Sequence, residues 1–542
     1  MRKRKLVSPI MSFIAGILLP LFPSTILAQE EPPLTEKAPS AVLTGAPLTL
    51  HEMALITLAN SADIEKAVEG VKGAWVGYLG SQAEFDFYTS LSANTNRLEY
   101  TEDYGEPDMS IRGVRGEINK KFRTGISGSL SILTERTDLI DMPYDADNSA
   151  NTAVSLTLPL LKGFGYVSAA AGETSARLKA EGAEFNFYHQ VSGILLEATK
   201  AYWNYKAAVE RLKIQQASER MVKQWVNEVD AGLQQQGDSL NQYQDETAQI
   251  EAYLNYKYKN TLAASEEVNA TRGQLTSVMG IPYEQMKKIG NPAETFPEDW
   301  SGILAKLESK PVTDMWINVA MQNRLDLKAA KREEQATSVE LAKAEHDILP
   351  QLDLGLNYSF KGKESGDAFS YHIDSINSDT HRNTTGASLS FSYPIENRGA
   401  RAAREGARIG HRVSVLSTRD AERQVGIDVS TVTETVLGRL KTAVEAKKTV
   451  ESYLPAIQKL KNVNLRNNPE AIFDFINIEK RYNEAQASPA NEENSYINSL
   501  RDLAIAIAEL RHQTGTLVIG GELGELGKDI ELGTLTTLPA ID

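Results

Sequence analysis

The stretch Val154-Ser-Leu156-Thr-Leu158-Pro-Leu-Leu-Lys-Gly-Phe-Gly165 changes its period partway along. Its first half alternates apolar and small polar residues, the pattern of a strand with one apolar and one polar face. Beyond it, Ser168 to Ala231 is a run of 64 residues without proline. As a helix it is roughly 96 Å long at 1.5 Å per residue. Ordinary globular helices average about a dozen residues. A helix this long must pack along others, as in a coiled coil. Leu240 to Met279 reads as the returning helix.

The same order recurs later in the chain. Leu352-Asp-Leu354-Gly-Leu356-Asn-Tyr358-Ser-Phe360 and Ala387-Ser-Leu389-Ser-Phe391-Ser-Tyr393 alternate in the same way. Long runs from Ala400 to Asn467 and from Glu470 to Thr514 come after them. Pro455 and Pro489 interrupt these runs, and kinks or local breaks are expected there. Landmarks repeat in order. Asn60 matches Asn323, Pro159 matches Pro394, Asp238 matches Asp474 and Gly280 matches Gly515. The chain therefore reads as an internal duplication. A first repeat covers 48–290, with a helix, strands over 85–160 and a helix pair over 168–280. A linker covers 291–311. A second repeat covers 312–520, with a helix, strands over 351–394 and a helix pair over 400–515. A tail covers 521–542.

One apolar and one polar face suit either a sheet packed on a core or a transmembrane β-barrel between lipid and water. The segments Lys361 to Gly386 and Arg97 to Arg112 are long and polar, as the extracellular loops of barrels are. Two strand pairs cannot close a barrel, which needs about eight strands, and an open edge is not tolerated in lipid. The chain is therefore expected to share a barrel with copies of itself. Val114 to Phe122 and Ile126 to Ile132 form an additional hairpin, which either decorates the mouth or joins the barrel.

Composition sets further limits. The 542 residues carry 57 Lys+Arg against 72 Asp+Glu, a net charge of −15, and no cysteine. Disulfides, thiol catalysis and cysteine-ligated metals are excluded. An acidic chain is a poor nucleic-acid ligand. Arg2-Lys-Arg-Lys5, an apolar run to Phe22 and a small residue at Ala28 read as a signal peptide over 1–28, followed by an extension over 29–47. Removing four cations and no acid leaves −19. No cysteine follows to carry a lipid.

Several motifs resemble the TolC-type outer membrane factor family. They are Leu48-Thr-Leu-His-Glu-Met-Ala-Leu55, Leu156-Thr-Leu-Pro-Leu-Leu-Lys-Gly-Phe-Gly165, Ala201-Tyr-Trp203, Ala231-Gly-Leu233 with Asp238, and Tyr496 to Leu510 ending at Thr514-Gly515. The resemblance covers about 48–518. It implies an α+β membrane protein: a trimeric transmembrane β-barrel continued by a long periplasmic α-helical barrel, built from two internal structural repeats. It implies an outer-membrane location with a periplasmic extension. It implies a passive conduit that docks on a periplasmic adaptor and, through it, on an inner-membrane pump of the RND, ABC or MFS type. No enzyme activity, cofactor or metal is expected. Partners would be the homotrimer, adaptor, pump and outer-membrane lipid, with no nucleic acid.

The hairpin tips carry the candidate site. Gly232 suits a tight turn and Asp238 a helix cap, and both also have that plain structural reading. In the second half Asn468 tolerates a left-handed conformation and Pro469 suits the first helical position. By resemblance, Asp474 faces the pore and forms an acidic ring favouring cations, with Asp238 and Glu470 contributing. Asn477 stands where some relatives carry a second acid. Ala231, Gly232 and Leu233, with Asn467, Asn468 and Pro469, are the expected adaptor-docking tips. Gly163-Phe-Gly165 lacks the third glycine and the βαβ setting of a dinucleotide loop. The alternative function is a non-conducting coiled-coil protein of the periplasm, against which the amphipathic strands argue.

Overall fold

The computed structural model describes residues 45–99, 108–140, 144–236, 244–296, 301–309, 312–366, 371, 374–377, 381–461, 471–487, 495–519, 531–532 and 537–539. The expected signal peptide lies outside them, as does nearly all of the extension.

The described residues open with α1 (Leu50–Asn60) and α2 (Ala62–Gln82). Thr49 caps α1: its hydroxyl accepts from the Glu52 amide and the Glu52 carboxylate accepts from the Thr49 amide. That capping box satisfies two otherwise free donors. Ser61 has extended backbone and separates the two helices. Four strands come next: β1 (Phe87–Leu98), β2 (Met109–Lys121), β3 (Ser127–Leu139) and β4 (Asp147–Pro159). Then come α3 (Ala171–Gln236) and α4 (Gln244–Val278). The helix α5 (Ser301–Ser309) lies inside the segment expected to be a linker. It forms because Ile303, Leu304 and Leu307 make one apolar face, which packs against the main core. The second half begins with α6 (Val312–Asn323) and α7 (Leu325–His346), again separated by one extended residue, Arg324. Strands β5 (Gln351–Ser365) and β6 (His381–Ser392) lead to α8 (Arg398–Lys461), α9 (Ile472–Ala487) and α10 (Tyr496–Gln513).

Two turns brace these helices alike. Gly280 follows α4 with φ +70°, and a Cβ there would sit 2.4 Å from the Asn60 carbonyl oxygen. Gly515 follows α10 with φ +68°, and a Cβ there would sit 2.8 Å from the Asn323 carbonyl carbon. Only glycine accepts both the left-handed backbone and the contact.

All six long strands form one antiparallel meander in chain order, β1 to β6. The additional hairpin is therefore β2 and β3 of the sheet. The register sorts the two faces. On one face Ile118 opposes Leu130, Leu130 opposes Val154, Val154 opposes Tyr358 and Leu354 opposes Leu389. On the other face Asn119 opposes Ser129, Ser129 opposes Ser155, Ser155 opposes Asn357 and Gly355 opposes Ser388. The strands are longer than their alternation, and the segments expected as loops are shorter. Apolar alternation stops before the strands do, and backbone pairing continues beyond it. Along β2 the apolar face runs between Lys120 and Arg112, about 27 Å at 3.4 Å per residue. A lipid-facing band of a barrel is about 25 Å tall.

Two further expectations change. Helix α8 passes through Pro455 without a break. Pro455 is exposed, so water can replace its lost hydrogen bond. Helix α3 passes through Ala231, Gly232 and Leu233 and ends at Gln236, so Gly232 is a helical residue and not a turn. Its strong helical neighbours outweigh a penalty of about 1 kcal/mol for glycine. The connection lies outside the described residues, as does Pro489.

The main core joins α1, α3, α6, α8 and α10 around Tyr202, Trp203, Trp316 and Leu503. Tyr202 donates to the Leu48 carbonyl at 2.9 Å and Trp203 stacks on Phe296. The aromatic pair of α3 is thus part of the packing. The tail returns to α10: Val518–Ile519 pairs with Glu531–Leu532, and Arg511 donates to the Leu538 carbonyl at 3.1 Å.

Candidate functional site: the distal helical hairpins

The helices α3 and α4, and α8 and α9, run out to a second, smaller apolar cluster. The face of α3 that enters it repeats at three and four residues: Arg211, Gln215, Ser218, Val222, Trp225 and Val229. All six are buried. This spacing keeps one stripe of a helix against a partner. Helix α9 answers with Ile472, Phe475, Glu479 and Asn483. The lower seam is apolar. Trp225 meets Phe475 edge-on with ring centroids 5.1 Å apart. The upper seam is polar, and it separates the distal cluster from the main core.

The centre of that polar seam is an ion pair. The Lys257 ammonium on α4 lies 2.8 Å from the Glu479 carboxylate on α9, and each side chain is 1% exposed. Ser218 of α3 donates to Glu479 Oε1, and Tyr253 of α4 donates to Oε2. Lys257 also lies over the Tyr253 ring, 5.0 Å from its centroid. One carboxylate thus gathers donors from both helices of the first hairpin. Burial pulls the Lys257 pKa down against the attraction of Glu479. Burial and the adjacent Glu479 charge push the Tyr253 pKa up. One step nearer the core, Gln215 donates to Asn483 at 3.1 Å, and Arg211 bonds Glu267 and Asn498.

A second polar node sits at the Arg324 break. Its guanidinium donates to Asp326 at 2.7 Å, to Asp428 on α8 at 3.0 Å and to Gln513 on α10 at 3.0 Å. Nearby, His512 shares a 2.8 Å hydrogen bond with Ser192, and its ring centroid lies 5.2 Å from that of His189. Burial pushes the His512 pKa down to about 4. His189 is pushed down for the same reason.

Of the residues expected from the sequence, Asp474 stands in the first turn of α9 and is exposed. It falls between Ile472 and Phe475, both buried in the seam, so its carboxylate points away from the seam. Asn477, nearly one turn on, is also exposed. Ala231 is half-buried on α3. Asp238, Glu470, Asn467, Asn468 and Pro469 lie outside the described residues, and Gly232 and Leu233 are described only as helical backbone. Sequence reasoning alone misses Lys257 and Glu479. Their signal is a charge at an apolar register position: Lys257 follows Ile250 and Tyr253 at seven and four residues, and Glu479 follows Ile472 and Phe475 likewise.

Part of the chain matches a known family, and its fold matches solved structures. Residues 316–466 match the family described as outer membrane efflux protein. The fold matches OprN, an outer-membrane channel, at TM-score 0.56 and 15% identity over 86% of this chain and 90% of that one. It matches VceC of Vibrio cholerae at 0.57 and 13% over 86% and 96%. It matches the MtrE outer membrane channel of Neisseria gonorrhoeae, an open-state structure, at 0.55 and 14% over 86% and 88%. No curated protein matches the chain. Residues 316–466 thus resemble the outer membrane efflux protein family, and the chain shares the fold of these channels.

Proposed function

We propose that the chain is the outer-membrane exit duct of a tripartite export system, carrying small molecules or type I secreted protein as a passive conduit. The observation that carries this reading is a six-stranded two-faced meander, with no further strand beside β1 or β6 among the described residues, that continues into helices of 66 and 64 residues. An open edge in lipid leaves backbone groups unsatisfied. Three copies, each adding six strands, close one barrel by pairing β6 of one with β1 of the next, and their helices enclose the periplasmic tunnel. Exposed apolar residues Val76 and Leu79 on α2 and Ile409 and Val413 on α8 fit contacts between copies. The matching contacts of Gly280 with Asn60 and of Gly515 with Asn323 support an origin by duplication.

Asp474, with Asp238 and Glu470, forms the acidic ring at the periplasmic entrance. Ala231, Gly232, Leu233, Asn467, Asn468 and Pro469 meet the adaptor, which recruits an inner-membrane pump of the RND, ABC or MFS type. The energy comes from that pump, and no covalent chemistry occurs in the duct. The test is membrane fractionation, cross-linking and conductance of the purified protein in planar bilayers. A cross-linked trimer in the outer-membrane fraction with steady conductance is expected. A soluble periplasmic monomer without conductance would leave the coiled-coil rod as the function.

A further inference from the structure

In an acidic chain, the start of α8 is basic. Arg398, Arg401, Arg404, Arg408, Arg412, Arg419 and Arg423 are all exposed. At 3.6 residues per turn they fall within roughly one third of the helix circumference. They span about 38 Å along the axis. Three of them have an exposed acidic neighbour: Arg398 with Glu396, Arg408 with Glu405 and Arg423 with Asp420. Arg401, Arg404, Arg412 and Arg419 pair with no carboxylate among the described residues. Glu405 falls inside this arc and Glu422 on its edge, so seven arginines face two carboxylates and the stripe keeps a strong positive excess.

The other faces of α8 are accounted for. Ser414, Thr418, Val425 and Val429 are buried on the side toward α7, and Thr337 bonds His411 there. Ile409, Val413 and Leu416 form an exposed apolar strip beside the arginines. A second copy of the chain fits that strip and leaves the arginines free. The Lys331–Glu422 pair, which bridges α7 and α8, borders the arginines on their other side.

The stripe begins six residues after β6 ends, so, resting on the function proposed above, its first turn lies near the membrane and the rest extends into the periplasm. Lipid headgroups act over a screening length of about 8 Å, so they reach only the first turns. A ligand for the whole stripe must be an extended polyanion. The guanidinium fork matches carboxylates in two-point contacts. We propose that this face of α8 docks a carboxylate-bearing cell-wall polymer, the peptide stems of peptidoglycan, and so seats the periplasmic part of the protein in the wall.

The test is co-sedimentation of the full-length protein in detergent with purified peptidoglycan sacculi. Wild type should pellet with sacculi at low salt and be released as salt rises. A variant carrying Arg401→Gln, Arg404→Gln, Arg412→Gln and Arg419→Gln should bind about tenfold more weakly, the expected sum of several exposed charge pairs. Its oligomer size should be unchanged. Amidating the carboxyl groups of the sacculi should abolish pelleting of wild type. Equal pelleting of wild type and variant, or no effect of amidation, overturns the proposal. A variant that loses its oligomer together with its binding overturns it too, and assigns the stripe to contacts between copies. So does a variant with unchanged pelleting and altered ion selectivity in bilayers, which assigns the stripe to the tunnel wall.

Discussion

Replacing Lys257 by Met removes the cation from the buried seam and leaves Glu479 with two neutral donors, Ser218 and Tyr253. Breaking one side of a buried ion pair costs about 3–5 kcal/mol, because the remaining charge stays desolvated. Glu479→Leu strands the ammonium instead. The stranded lysine can release its proton, at about 1.4 kcal/mol per unit between its ordinary pKa of 10.5 and the ambient pH. At pH 7 that route costs about 5 kcal/mol, so the loss is again about 3–5 kcal/mol. It shrinks as pH rises toward 10.5, because in that window the unfolded chain binds a proton that the folded variant does not. The double variant Lys257→Met, Glu479→Leu behaves differently. An apolar pair of similar volume is often neutral or better than a buried ion pair. The remaining loss is that of an acceptor for the Tyr253 and Ser218 hydroxyls, about 1–3 kcal/mol each. Adding Tyr253→Phe and Ser218→Ala removes that too. The expected double-mutant coupling is therefore about 3 kcal/mol or more. The assay is thermal unfolding of the purified protein by circular dichroism, with amide exchange over 472–487 as the local reading. If the two single losses simply add in the double variant, the reasoning fails: Lys257 and Glu479 would not be acting as a buried pair.

Three more outcomes are expected of the same structure. His512, pushed down to about 4 by burial, stays neutral in the folded state while the unfolded chain takes up a proton below about 6.5. Stability should fall by about 3 kcal/mol between pH 6.5 and 4, and a pH series of melting curves should flatten in His512→Gln. Gly280→Ala places a Cβ against the Asn60 carbonyl at positive φ, so it should lower stability by about 2 kcal/mol or more in the same melts. Leu130→Arg, on the apolar face opposite Ile118 and Val154, should lose about 2–4 kcal/mol of folding stability in lipid vesicles. Ser131→Arg on the opposite face should be tolerated, and equal losses at both positions would refute the assignment of the two faces.

The strands are legible in the sequence because one apolar and one polar face of the sheet impose a period of two. Val154 to Leu158, Leu352 to Phe360 and Ala387 to Tyr393 show it, and each lies in a strand of the meander except Tyr393, just past the end of β6. β1 is harder to read, because Phe87-Tyr-Thr-Ser-Leu-Ser-Ala-Asn-Thr-Asn96 has few apolar residues on its outer face. Pairing with β2 makes it a strand. Gly232 and Pro455 mislead for the opposite reason. Each is a local breaker inside a helix held by many residues on either side, and tertiary packing outweighs a local penalty.

The buried pair shows a further limit. A charged residue at a seam position looks like an error in the heptad until its partner is known, and Glu479 lies 222 positions from Lys257. The sequence interval says nothing about the meeting, which depends on how the two hairpins lie against each other. Such a node also has a physical use. An apolar seam tolerates sliding by one turn, since one aliphatic contact replaces another at little cost. Glu479 accepts from Ser218, Tyr253 and Lys257 only in one register, and a one-turn slip would leave both charges buried and unpaired. The distal cluster of Trp225, Phe475 and Ile472 is thereby held at one height relative to the first hairpin. That height also sets the position of Asp474, one residue before Phe475. The polar seam is therefore the part of the fold that converts helix packing into a defined position for the proposed acidic ring.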